Sequence, residues 1–183
     1  MLTAQCLPGT EAGGHGGAFT PCTFTFVSEV LAALSGDNAP PVLAAGGIAN
    51  GTQVAAYLTL GAAGAVLGTR FLLTPECPWP EAHKAALLAA KSGSTIRTLA
   101  MDYALNLYGW PEGLNGRAIR NKIHDDVEAG LSHATVRGRF ALANREGDVG
   151  YQVIWSGQGV TLMQEIKPVK VRDHALFRSV DSD

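Results

Sequence analysis

The chain has 183 residues, 46% hydrophobic and 16% charged, which is enough for a single domain, 1–183, with a core of its own. Its 14 Lys plus Arg against 16 Asp plus Glu give a formal net charge of −2, a balance that provides no basic surface for nucleic acid or an anionic membrane. Cys6, Cys22 and Cys77 share no metal-type spacing, and the apolar stretch 54–73 is broken by Gly61, Gly64, Gly68, Thr69 and Arg70, so the expectation is a cytoplasmic protein with reduced thiols, no secretory signal and no membrane span.

Residues 1–8 read as the end of a short strand, which Pro8 suits poorly. The glycine-rich run 9–17, GTEAGGHGG, reads as a loop. Thr20 and Pro21 have the character of an N-cap and a first helical residue. Val27, Val30, Leu31 and Leu34 then follow the i, i+3, i+4, i+7 pattern, and Gly36 stops the helix. After Pro40 and Pro41, residues 42–45 form an apolar run suited to a buried parallel strand. Gly46 and Gly47 break it. Asn50 caps the next helix, with Gln53 completing a capping box, and Gly61 ends it. A further apolar run at 65–67 leads into Gly68 and Thr69. Strands alternating with helices at this spacing predict βαβ units and a parallel sheet. Beyond this βα part, 1–78, residues 79–150 read as a helical excursion that opens with a helix over 79–91. Residues 151–167 mix strand and loop signals, and 168–180 read as a terminal helix.

Glycines follow each strand at the edge where parallel α/β folds bind ligands. A phosphate needs backbone N–H groups pointing at it with no side chain in the way. Gly46–Gly47 and Gly68–Thr69 suit that role, and Thr69 adds a hydroxyl; equally, such glycines can simply make tight turns. His15, flanked by glycines, reads as a loop histidine placed to move a proton near neutral pH, with Glu11 four residues before it. The alternative is a solvated loop histidine. His83, His124, His133 and His174 form no metal-ligating pattern, and no metal is assigned. Arg70 and Arg97 fit anion binding or a structural role.

The order GTEAGGHGG, then PVLAAGGIANGTQVAAYLTLGAAGAVLGTRFLLTPE, resembles the FMN-dependent nitronate monooxygenases, once called 2-nitropropane dioxygenases. The later segments STIRT, GRAIRN and WSGQGVTLMQEI are similar to that family's C-terminal region. A related group of flavin enoyl reductases shares much of the pattern. The resemblance implies an α/β fold, the C-terminal part of an FMN-binding TIM (β/α)8 barrel entered at about its sixth strand. It makes His15 the catalytic base at the flavin ring and Gly13 part of an FMN-contacting loop. It places Gly46 and Gly47 at the FMN phosphate, gripped also by Val66, Leu67, Gly68 and Thr69. Pro8 departs from the pattern, because the family usually carries glutamine there. The implied reaction takes an alkyl nitronate and O2 to a carbonyl compound and nitrite. The rivals are a non-catalytic fragment, whose open strand edges a second copy would cover as a homodimer, and an enoyl reductase using a nicotinamide donor.

Overall fold

The computed structural model describes residues 5–34, 36 and 39–170. The helix expected over 168–180 lies largely outside them. In chain order the elements are β1 (Gln5–Pro8), β2 (Gly14–Gly17), α1 (Thr23–Ala33), β3 (Val42–Ala45), α2 (Gly51–Leu60), β4 (Gly64–Val66), the single turn α3 (Thr69–Leu72), α4 (Glu81–Leu88), β5 (Thr95–Thr98), α5 (Ala100–Ala104), β6 (Leu114–Ile119), α6 (Lys122–Glu128) and α7 (His133–Glu146). Two short 3-10 turns follow, at Val149–Tyr151 and Gln158–Leu162.

The expected parallel sheet is present, in the order β1-β3-β4, with Pro8 opposite Ala45 and Leu43 opposite Gly64. Pro8 is tolerated because it is the last residue of an edge strand, where a missing N–H costs least. The apolar stripe of α1 meets α2 and the sheet in a core of Val27, Val42, Ala44, Ile48, Tyr57 and Ala62, with Val30, Leu31 and Leu34 packed against it. Helix α2 starts and stops as its sequence predicts. Asn50 accepts from the Gln53 N–H, and Gly61 ends the helix at φ 110°. The Gln53 side chain reaches back one residue further than a capping box requires and accepts from the Ala49 N–H at 2.7 Å.

Helix α1 begins later than expected. Its N-cap position is Cys22, which makes no side-chain cap bond. The expected cap, Thr20, donates its hydroxyl to the Gly17 carbonyl instead. The Glu11 carboxylate replaces it, accepting from the Thr23 N–H at 2.7 Å, and its charge suits the positive end of the helix dipole. The Glu11→Ala variant is therefore expected to lose about 1 kcal/mol of stability, measured by urea unfolding.

The region 79–150 is not simply helical, and residues 14–17 are not loop. Strands β2, β6 and β5 pair in that order as a second, antiparallel sheet. His15 lies opposite Gly116, and Arg97 lies opposite Arg117. His15 is thus a strand residue, contrary to the loop reading. The strand GHGG has no strand propensity of its own, and pairing with β6 supplies what composition withholds. Helices α5, α6 and α7 enclose a core of Ala100, Met101, Ala104, Ala118, Ile123 and Val136. A third cluster, including Leu73, Leu87, Ile154, Val160 and Met163, joins α4 to the C-terminal turns.

On this helical side, Asp126 accepts from the Tyr151 hydroxyl and from Arg139. Burial pulls its carboxyl upward, but these hydrogen bonds outweigh that and hold it below the ordinary carboxylate value. A depressed folded pKa gives stability that is full above the unfolded value, near about 3.9. That stability is lost as pH falls through the folded value. The difference in unfolding midpoint between wild type and Asp126→Asn is expected to be widest at neutral pH and to shrink in acid.

Candidate functional site

The C-terminal ends of β1, β3 and β4 open onto a cleft of about 470 Å³. Pro8, Ala45 and Val66 end those strands at its wall. Gly13, Gly14 and His15 close one side, and Trp155, Gly157, Gly159 and Met163 close another. Of the residues expected at a ligand site, His15, Gly13, Gly46, Gly47, Val66, Gly68 and Thr69 all line this cleft. Leu67 does not; its side chain turns into the core beneath the parallel sheet.

The turn after β3 requires its glycines, because Gly46 has φ 112° and Gly47 φ 72°. Gly13 is needed for close approach, since a Cβ there would stand 2.6 Å from the Gly157 nitrogen. Gly68 differs. No heavy atom lies within 4 Å of a Cβ built on it, so the turn after β4 presents bare backbone to the cleft. The segment 155–163 is fastened over these turns. The Gly157 N–H donates to the Thr69 hydroxyl oxygen at 2.9 Å, and the Gln158 N–H donates to the Glu11 carbonyl at 2.9 Å. Thr69 accepts in that bond, so its own O–H is left to donate into the cleft.

His15 is one-quarter exposed, and its Nε2 lies 2.8 Å from Oδ1 of Asp102, which is fully buried in α5. The Trp110 indole N–H donates to the same oxygen at 3.0 Å. The Trp110 ring stacks on the imidazole at 4.1 Å and 15°, and Trp155 approaches it at 4.8 Å and 56°. An imidazole held by a carboxylate between two indoles can take and return a proton to a molecule in the cleft. Sequence reasoning singled out His15 but missed Asp102 and Trp110, which are separated from it by 87 residues or more. The available signal was one acidic residue inside the apolar run LAMDYAL.

Glu11 does not act on His15, since its carboxylate caps α1. Arg97 has a structural role. Its Nε and that of Arg117 both donate to the Thr10 carbonyl, at 3.1 and 3.0 Å. Burial lowers the affinity of both guanidinium groups for their protons, and the Arg97 charge adds to that at Arg117. Together they anchor Thr10, at the start of the segment that leads into β2 and His15. The remaining described histidines lie elsewhere: His83 packs edge-on against Trp79, His124 is buried, and His133 stacks on Tyr103. His174 lies outside the described residues. Among the described residues no group of three or more His, Cys, Asp or Glu could hold a metal ion, and no helix is long and apolar enough to cross a membrane.

A family model described as nitronate monooxygenase matches residues 4–172. The nitronate monooxygenase npaC of Metarhizium robertsii is 36% identical over 148 residues, which is 79% of this chain and 41% of that protein. The structure of FabK from Thermotoga maritima superposes with a TM-score of 0.74 at 29% identity, over 96% of this chain and 53% of that one. A nitroalkane oxidase from Streptomyces ansochromogenes superposes with the same TM-score, 0.74, at 29% identity, over 97% of this chain and 52% of the other. The chain thus spans about half the length of the relatives it matches.

Proposed function

The chain belongs to the nitronate monooxygenase family, and from that premise we propose that it forms the C-terminal part of an FMN-binding (β/α)8 barrel that oxidises alkyl nitronates with O2 to a carbonyl compound and nitrite. The observation that carries this reading is the cleft itself, in which bare glycine turns and a carboxylate-held histidine face one space. The turns fit a flavin phosphate. Gly68 lines the cleft and has no heavy atom within 4 Å of the place a Cβ would take, so at this turn a phosphate can approach the backbone directly.

In this reading Gly46, Gly47, Val66, Leu67, Gly68 and Thr69 hold the FMN phosphate, mainly through backbone N–H groups and the Thr69 hydroxyl. Leu67 contributes through its backbone alone. Gly13 keeps the loop beside the flavin ring thin enough to lie against segment 155–163. Bound FMN supplies the electron chemistry. His15 removes the proton from the carbon of a neutral nitroalkane or, when protonated, neutralises an anionic nitronate. Trp110 covers one face of the imidazole, Trp155 leans against it at a tilt, and the two limit water there.

The decisive test is the absorbance spectrum of the purified chain after FMN is added and free flavin is removed. A retained flavin band, with oxygen uptake on adding nitroalkane, is the expected result. A colourless protein would defeat the proposal and favour a second reading, a non-catalytic fragment. That reading rests on the chain's spanning about half of its relatives and on β1 and β4 being the edges of the described parallel sheet. Pairing of two copies along those edges would then be sought by sedimentation.

A further inference from the structure

Asp102 is a costly residue for a core. It is 0% exposed, and its Oδ2 is buried with no hydrogen-bond partner among the described residues. A carboxylate kept only for the fold would have both oxygens satisfied. Both of its hydrogen bonds fall on Oδ1, one to His15 Nε2 and one from Trp110. The indole nitrogen can only donate, so Oδ1 is an acceptor there. An oxygen already accepting from Trp110, on a carboxylate with no further partner among the described residues, also accepts from the imidazole. The proton therefore sits on His15 Nε2. Nδ1, for which the described residues offer no hydrogen bond, keeps its lone pair on a residue that lines the cleft. Trp110 stacks at 15° to the imidazole and so limits rotation of the ring away from this arrangement.

We propose that Asp102, braced by Trp110, is the positioning residue that holds His15 as the Nε2–H imidazole and makes Nδ1 the nitrogen that receives the substrate proton. The second half of this proposal rests on the reading of His15 as the catalytic base. The first half is a property of the folded chain. As a proton arrives at Nδ1, the positive charge spreads over the ring, and the buried carboxylate on the far nitrogen offsets it. Asp102 touches neither cleft nor substrate and acts only through His15.

The test is a two-bond 1H–15N correlation spectrum of the 15N-labelled chain, with the His15 signals identified by their loss in His15→Gln. The expected pattern is a protonated Nε2, an unprotonated Nδ1, and an Nε2 proton that resonates far downfield and exchanges slowly with water. In Asp102→Asn the charge-assisted bond is gone, so the downfield position is lost and exchange quickens on the order of tenfold. Trp110→Phe keeps a ring over the imidazole without the indole N–H, and the proton is expected to stay on Nε2 because the carboxylate still accepts it. Unmoved signals from His83, His124 and His133 report an intact fold. If Asp102→Asn does not fold, the wild type and Trp110→Phe decide the matter. A proton on Nδ1 in either of them, or an Asp102→Asn spectrum like that of the wild type, overturns the proposal. The spectrum needs no turnover. A chain inactive towards nitroalkanes that still shows the Nε2 proton defeats only the catalytic reading, and leaves the positioning of His15 by Asp102 standing.

Discussion

Replacing His15 with alanine is expected to slow nitroalkane-dependent oxygen uptake by about 10²–10⁴-fold, the usual loss when a positioned acid–base group is removed. The flavin band should remain, because the phosphate turns and His15 sit on different elements of the cleft. A substrate supplied as the preformed nitronate has already lost the carbon-bound proton, so the same variant should be far less impaired with it. Equal impairment with both substrates would show that His15 acts on the anion and not as a base. Full activity with both would remove His15 from the chemistry altogether. The experiment compares initial rates of oxygen consumption at matched flavin content.

A pair of glycine substitutions is expected to separate the fold of the cleft from its occupancy. At Gly159 an added Cβ would fall 2.0 Å from the Gly47 carbonyl oxygen and 2.7 Å from its carbon. Both are backbone atoms, in a turn whose conformation is already restricted to glycine by φ 72°. Gly159→Ala therefore has to push segment 155–163 off the turn, at a cost of about 1–3 kcal/mol, as overpacking commonly brings. Both the unfolding midpoint and flavin retention should fall. Gly68→Val meets open space at Cβ, and its backbone, at φ −94°, suits any residue. The unfolding free energy should hold within about 0.5 kcal/mol of wild type, as for a surface change, while the new side chain occupies the cleft and flavin retention is lost. If Gly68→Val binds flavin normally, the turn after β4 is not where the phosphate sits.

How much could be read in advance depended on how local each cause was. Helix α2 was legible because Asn50 and Gly61, its cap and its stop, lie within its own sequence. The stripe on α1 is legible too, but the helix starts two residues later than its sequence suggests because the group that caps it, Glu11, comes from another segment. The parallel strands could be found from apolar runs bounded by glycine. Strand β2 could not, since GHGG carries neither alternation nor β-branched residues, and its partner β6 lies about a hundred residues along the chain. The same limit governed the candidate site. Glycine turns after strands are a local signature, and they do line the cleft. The bond from His15 to Asp102, and the ring of Trp110 over it, are products of folding with no trace in spacing. Leu67 shows the reverse case, a residue in the right stretch of sequence whose side chain the strand turns the other way.

The ties that hold the cleft together also bear on how it is made. His15 bonds to a residue 87 positions away, Thr69 to one 88 away, and the Thr10 carbonyl to an arginine 107 away. Each closes a long loop, whose entropy is spent before any contact rewards it. The helices and the α1–β3–α2–β4 unit can form from near neighbours, whereas the cleft waits for Thr10 and His15 to meet residues 97–117 and for Thr69 to meet Gly157. Topology of this kind makes for slow folding. In a refolding experiment, helical circular dichroism should return first. The slow phase should be the one in which the Trp110 and Trp155 fluorescence changes, as the two indoles close around His15.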